Sequence, residues 1–252
     1  MTTAAHTLRR AMAVLFWLLV LAGGAVAPAA AQSLSLDLGA GPSSTGRIVQ
    51  IIALITVLSI APSILMMVTS FTRIIVVLSF LRNAMGVQST PPNAVLISLA
   101  LFLTAFVMAP TLEKSYQEGI APLIDGRISE EEALKRSVQP VHKFMMTHVR
   151  ERDLNLFMDI ADTPQSTAPE DTPLRSLIPA FMISELKRAF EIGFLLFIPF
   201  LIIDMVVASV LMSMGMMMLP PVMISLPFKL IFFVLVDGWY LVAGSLVQSY
   251  GG

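Results

Sequence analysis

Three charged side chains, Asp204, Lys229 and Asp237, stand inside otherwise apolar stretches of the sequence. An ionisable group in the middle of a membrane costs about 2.5–3.5 kcal/mol on insertion scales, so it is normally paired or placed in a wet cavity. If the last two apolar stretches form a hairpin about residues 214–221, Asp204 and Lys229 lie at comparable distances from its tip. They can then pair within one chain or between copies, and Asp237 is expected on the same helical face as Lys229.

Three interpretations of the charges at Asp204 and Lys229 stay open. The pair could only fix the register of two helices, it could be an intersubunit salt bridge, or it could relay protons or ions. The last interpretation would make the chain a small secondary transporter or ion channel, a class that shows internal repeats and interrupted helices in corresponding halves. Proline-interrupted helices are present here, but the two halves of the sequence do not resemble each other.

The histidines and carboxylates of the polar region do not form an enzyme motif. His142 and His148 are six residues apart and so lie on different faces of one helix, and Glu151 and Asp153 do not complete an H-E-x-x-H metal site. The sequence contains no cysteine. It also lacks a G-x-S-x-G nucleophile motif and a P-loop. We therefore expect no enzyme, no metal and no cofactor.

The composition indicates a membrane protein. Apolar residues make up 56% of the 252 residues and charged residues only 13%, about half of the ~25% charge of soluble domains. The segment from Glu113 to Glu191 holds 14 of the 17 acidic and 10 of the 16 basic residues. This distribution excludes a single water-soluble globule and a nucleic-acid binder with a basic face. It leaves an integral membrane protein with one polar insert.

The N-terminus has the features of a signal peptide. Arg9 and Arg10 precede a short apolar run, and small residues then lead to a cleavage site between Ala31 and Gln32. We expect residues 1–31 to be removed, and 32–47 to form a flexible lead-in outside the cytoplasm. A retained first transmembrane helix is the alternative.

Four apolar stretches follow, and several of them are interrupted or bounded by proline. They are Ile48 to Val68, Ala94 to Met108, Ile192 to Met214, and Val222 to Val247. A shorter block between Arg73 and Arg82 cannot span a bilayer, and these two arginines place it in a cytoplasmic connection. The sequence thus predicts an all-α integral membrane protein with two helical hairpins, 48–110 and 191–252. A polar helical insert, 111–190, lies between them on the periplasmic side.

Within the insert, Ser129 and the three glutamates that follow it predict a capped helix start. Apolar residues that recur at helical spacing from Val141 to Val149 predict one packing face. Residues 163–173 contain three prolines and predict an exposed linker.

Two long segments of the chain have a distinctive sequence, residues 179–186, continuing through Gly193 and Phe194, and residues 227–239. They are similar to the two signature segments of the FliP family of flagellar export proteins. Further similarity lies in residues 70–83, in Pro91-Pro92-Asn93, and in the methionine run 214–218 before Pro220-Pro221. The resemblance covers nearly all of the chain from Ile48 to Trp239. The signal peptide favours the flagellar branch over the injectisome relatives.

The resemblance implies a core subunit of the flagellar type III protein export gate. Five copies would assemble with FliQ-like and FliR-like membrane subunits and other export-apparatus proteins into a pore for unfolded flagellar subunits, with no nucleic acid involved. The location implied is the bacterial inner membrane, in the flagellar basal body. Such an assembly would bury five charged residues or place them in intersubunit contacts. They are Arg73, Glu185, Asp204, Lys229 and Asp237.

The family resemblance also assigns a role to Met216, Met217 and Met218, as a gasket around the closed pore. Methionine suits this role because its unbranched, polarizable side chain repacks around changing surfaces. A hydrophobic constriction of this kind can exclude water and ions. Interface packing by flexible core residues is the alternative interpretation.

Overall fold

The computed structural model of the protein describes residues 43–87, 89–162, 171–216 and 218–251. The described residues form helices and connections, with no strand among them, which confirms the all-α prediction. The cleavage site at Ala31 and Gln32, most of the lead-in, most of the 163–173 linker and Met217 lie outside the described residues.

The described part of the chain contains α-helices and one π-helical turn. In chain order they are α1 Ser43–Met67, α2 Phe71–Ala84, α3 Asn93–Ser115, the π turn Tyr116–Ile120, α4 Ala121–Ile124, α5 Glu130–His148, α6 Glu151–Ile160, α7 Leu174–Ser213, α8 Pro221–Leu235 and α9 Gly238–Gln248. Packing divides the chain between Thr56 and Val57, inside α1. The core described below lies in the unit formed by residues 57–252.

Two of the described helices are long and apolar enough to cross a membrane. One is the continuous helical segment Asn93–Ile124, which has 32 residues and comprises α3, the π turn and α4. The other is α7, Leu174–Ser213, which has 40 residues. Two further candidates are bent pairs, α1 with α2 and α8 with α9, the latter bent by 63°. The described residues therefore contain two to four candidate spans. The apolar stretch predicted to end at Met108 continues as helix past Pro110, which lies inside α3, since neighbouring helices can accommodate a proline in an apolar helix.

The short block between Arg73 and Arg82 lies in a buried helix, α2. Its residues Ile74, Val77, Leu78 and Leu81 recur at helical spacing and are almost fully buried. They pack with residues of α3, α7, α8 and α9 in one hydrophobic cluster. With 14 residues, α2 is about 21 Å long, too short to cross a bilayer but long enough to carry this core.

A second hydrophobic cluster packs α5 against the first part of α7. Phe144 and Met145 of α5 pack against Leu177 and Phe181 of α7, which confirms the predicted apolar face. The Ser129 hydroxyl accepts a hydrogen bond of 3.4 Å from the Glu132 amide and caps α5 as predicted.

Helix α7 runs across residue 190, the predicted boundary between insert and hairpin. Helix α7 passes through it without interruption over 40 residues, about 60 Å, or roughly twice the hydrocarbon thickness of a bilayer. The composition of α7 changes near residue 190, because the helix carries most of its charged residues before this point and is mostly apolar after it.

Candidate functional site

The turn between α7 and α8 displays methionine on the surface of the chain. Helix α7 ends at Ser213, and Gly215 adopts a φ of 75°, a left-handed conformation that glycine takes without steric cost. Helix α8 then starts at Pro221, where proline loses no hydrogen bond because the first helical amide is unpaired anyway. Met216 is exposed and the Met218 side chain is 98% exposed. An uncharged, apolar turn of this kind marks a contact surface.

Asp204 and Lys229 form an ion pair within one chain. The sequence predicted them at comparable distances from the tip of the hairpin. Lys229 Nζ lies 2.6 Å from Asp204 Oδ2 and also donates to the carbonyl oxygen of Ala84 at 3.2 Å. The Ser225 hydroxyl donates to the other oxygen of Asp204. The lysine is buried and the aspartate is partly exposed. The pair therefore links α7, α8 and the end of α2.

A second ion pair, between Arg73 and Glu185, joins α2 to α7. Both side chains are fully buried. Arg73 Nε donates to Glu185 Oε2 at 2.9 Å, and its Nη2 contacts Oε1. This two-pronged geometry is the strongest that an arginine and a carboxylate form. The pair fastens α2 to the part of α7 that belongs to the insert.

The C-terminal residues complete the contacts of this pair. Arg73 Nη1 donates to Ser249 Oγ at 3.0 Å, and the guanidinium lies 3.8 Å from the centre of the Tyr250 ring. The Tyr250 hydroxyl donates to Glu185, and its ring stacks on Phe144. Each buried charge is thus hydrogen-bonded, as a buried ion pair requires.

Sequence reasoning named Arg73 and Glu185 separately but did not pair them, and it missed Ser249 and Tyr250. Both residues were singled out because they lie in the segments that carry the family resemblance. Their partnership joins residues 112 apart, for which the local pattern contains no signal. No pattern in the sequence around Tyr250 indicates that this tyrosine contacts the buried ion pair.

Asp237 does not share a helical face with Lys229, because the helix ends between them. Asp237 takes a left-handed conformation, with φ 51° and ψ 53°, between α8 and α9. Aspartate tolerates this conformation better than most residues. The next residue, Gly238, touches the Phe233 ring so closely that an added Cβ would lie 2.1 Å from it. Asp237 is exposed on the single chain, unlike the other charges of the apolar segments.

The histidines occupy structural positions in the insert. His142 Nε2 lies 2.8 Å from the carbonyl oxygen of Thr172, and His148 Nδ1 lies 2.8 Å from that of Phe144. Among the described residues, no group of three or more histidines, cysteines or acidic residues is placed to hold a metal.

A polar link outside the apolar segments joins α6 to α7. Asp153 accepts hydrogen bonds from Ser184 at 2.6 Å and from Arg150 Nε at 2.8 Å. Burial raises the pKa of the Asp153 carboxyl, but the hydrogen bonds and the charge of Arg150 outweigh it, so the pKa lies below its ordinary value. The carboxylate is therefore ionised at neutral pH and holds the link.

Comparison with known proteins gives matches along most of the chain. A sequence model of the FliP family matches residues 54–246. The flagellar biosynthetic protein FliP of Caulobacter vibrioides is 64% identical over 229 residues, covering 90% of this chain and 86% of that protein. The proteins of that name from Bacillus subtilis and Aquifex aeolicus are 57% and 51% identical. They cover 83% and 85% of this chain, and 95% and 91% of their own length is matched.

Proposed function

The chain belongs to the FliP family, and from that membership we propose that it is a subunit of the flagellar type III protein export gate, needed for flagellum assembly. The observation that carries the proposal is the match over residues 54–246. That range contains the methionine turn and both ion pairs. The relatives' shared name, flagellar biosynthetic protein, describes the same process.

We propose further that five copies associate with each other and with FliQ-like and FliR-like subunits and other export-apparatus proteins. The assembly lies in the bacterial inner membrane at the flagellar basal body. The exposed apolar surface of α3 and α7 supports association, because most of each candidate span is left uncovered by the chain itself. Such surface requires lipid or another helix against it.

In this proposal Met216, Met217 and Met218 line the opening through which unfolded subunits pass. The exposure of Met216 and Met218 supports the role, since a gasket must reach beyond its own helices. Flexible thioether side chains can close against one another and yield to a polypeptide of any sequence.

The contacts of the buried charges favour an export-gate subunit, in which these charges hold helices together, over a small transporter or an enzyme. A small transporter or channel built on Asp204 and Lys229 would need these groups free to exchange a proton or an ion. Here the ammonium has two partners, a carboxylate and a backbone carbonyl, and the carboxylate also accepts from Ser225. The arrangement favours a fixed joint between helices.

Processing of the N-terminus provides one test of the proposed topology. Since Ala29 to Ala31 follow a short apolar core, the mature chain should begin at Gln32, with the insert 111–190 on the periplasmic side. N-terminal sequencing of protein purified from membranes checks the cleavage site. A chain that retains Met1 would contradict the signal peptide and reopen the orientation of every span.

Secretion provides the direct test of the export function. Deleting the gene for this chain in its flagellated host should abolish motility and stop export of flagellin, while flagellin still accumulates inside the cell. Restoring the wild-type chain should recover both. Export is measured as flagellin in the culture medium, and a periplasmic protein exported by the Sec route is the control. If flagellin export continues without the chain, the proposed function is wrong.

A further inference from the structure

The bend between α8 and α9 contains a residue in a costly backbone conformation. The two helices are bent by 63°, and Asp237 between them has a φ of 51° and a ψ of 53°. This left-handed conformation carries a steric cost, smaller for aspartate than for most residues, and persists only where the surrounding structure holds it. The apolar sequence from Val222 to Val247 continues across the bend. One continuous helix, which would satisfy its own backbone groups, is therefore the competing conformation.

One face of α9 supplies contacts that can hold the bend. Val242 and Leu246 are buried in the hydrophobic cluster that joins α9 to α2. Ser249 and Tyr250 follow them at helical spacing and so continue the same face. Tyr240, on the opposite face, is exposed. The helix is thus held along the side that ends at Ser249 and Tyr250.

Ser249 and Tyr250, here called the latch, close this face on the buried ion pair of Arg73 and Glu185. Arg73 donates to Ser249 Oγ at 3.0 Å, and the Tyr250 hydroxyl donates to Glu185. Hydrogen bonds to ionised groups are roughly twice as strong as those between neutral groups. Because Arg73 lies on α2 and Glu185 on α7, the latch fastens the far end of α9 to two helices outside the bend.

The Tyr250 side chain also contacts α5. Its ring stacks on Phe144, with centroids 5.9 Å apart and 20° between the planes, and lies 5.1 Å from the ring of His148. Phe144 in turn packs against α7 in the second hydrophobic cluster. The same tyrosine therefore meets α2, α5 and α7, and a movement of α5 on α7 changes the site in which its ring lies.

We propose that the latch holds the bend between α8 and α9, and that α5 controls the bend through Tyr250. With the latch closed, α9 is held at the bend; with the latch open, α9 swings toward the axis of α8. Because α8 begins at Pro221, directly after the methionine turn, a change in the bend moves that turn relative to α9. The inference concerns the single chain and does not depend on the proposed export function.

The test measures the bend in the purified full-length chain as the distance between two spin labels. The sequence contains no cysteine, so Met223→Cys and Ser245→Cys provide the two labelling positions. Both positions are exposed, the first near the start of α8 and the second near the end of α9. At about 1.5 Å per residue they lie about 28 Å apart at the 63° bend and about 33 Å apart in a straight helix. The chain with an intact latch should give one narrow distribution at the shorter distance.

Changes at Tyr250 should open the latch. Tyr250→Phe removes only the hydroxyl, and the share of longer distances should rise by about tenfold, the shift expected when a hydrogen bond to a charged group is lost. Tyr250→Ala also removes the ring contacts and should have a larger effect. Tyr240→Phe is the matched control, because this tyrosine lies on the same helix but is 73% exposed, and it should leave the distribution unchanged. The midpoint of thermal unfolding identifies the variants that are folded.

Phe144→Leu tests whether α5 acts through the latch. Leucine keeps this position apolar but removes the ring on which Tyr250 stacks, so longer distances should increase. In the Tyr250→Phe chain, where a ring is still present, Phe144→Leu should also act, whereas in the Tyr250→Ala chain it should add nothing. Independent sites would instead give additive effects. The proposal is overturned if folded Tyr250→Phe and Tyr250→Ala keep the narrow distribution. It is also overturned if Phe144→Leu has the same effect, or none, in the wild-type and Tyr250→Ala chains.

Discussion

Replacing Glu185 by glutamine should remove most of the folded chain from membranes. The neutral amide leaves the Arg73 guanidinium charged and fully buried, and removing one member of a buried ion pair costs about 3–5 kcal/mol. Domain stabilities are only about 5–15 kcal/mol, so the loss is a large part of the total. The measurement is the midpoint of thermal unfolding in detergent, followed by protease resistance, together with the amount of chain in membranes.

Glu191→Gln is the matched control for this substitution. Glu191 lies on the same helix and pairs with Lys187 at 3.3 Å, but both side chains are more than half exposed, and exposed pairs contribute little. A second variant, Arg73→Met with Glu185→Leu, removes both charges and should be less unstable than Glu185→Gln alone. Equal stability of Glu185→Gln and Glu191→Gln would show that the buried pair does not hold α2 on α7.

Features encoded by neighbouring residues could be predicted from the sequence. The Ser129 cap depends on residues three apart, and the methionine turn on Gly215 and the two prolines that follow. The pairing of Asp204 with Lys229 was accessible for a related reason. Once the turn fixes the tip of a hairpin, two charges at comparable distances from it come level and can pair within one chain or between copies. The structure places them 2.6 Å apart within one chain.

Features that depend on the packing of distant segments could not be predicted in the same way. Periodicity shows that α2 has an apolar face, but not that Arg73 meets Glu185 and Tyr250 across the unit. The break at Asp237 is an intermediate case. Hydropathy continues from Val222 to Val247 and so indicated one helix, while the Asp237-Gly238 dipeptide is a common turn signal. The prediction that Lys229 and Asp237 share one helical face was therefore wrong.

Replacing Met216, Met217 and Met218 together by alanine should make the membrane leak while the complex stays assembled. The change removes most of the side-chain volume at the tip of the turn in every copy of the proposed assembly. Water and small ions should then pass the proposed opening when it is closed. Assembly should survive, because Met216 and Met218 lie outside both hydrophobic clusters of the described helices. The measurement is influx of a small solute into cells that express the variant with its partners, and a severalfold rise over wild type is expected.

Two further variants separate a gasket from ordinary packing. Met205→Ala removes an equally apolar, exposed methionine from α7, away from the turn, and should leave the membrane tight. Replacing the three turn methionines by leucine restores volume but not flexibility, since leucine is branched and adapts less well to a changing surface. The leucine variant should therefore seal when idle but slow the export of flagellin. An assembled alanine variant with a membrane as tight as wild type would instead make the turn a packing contact, because volume at a true constriction cannot be removed without opening it.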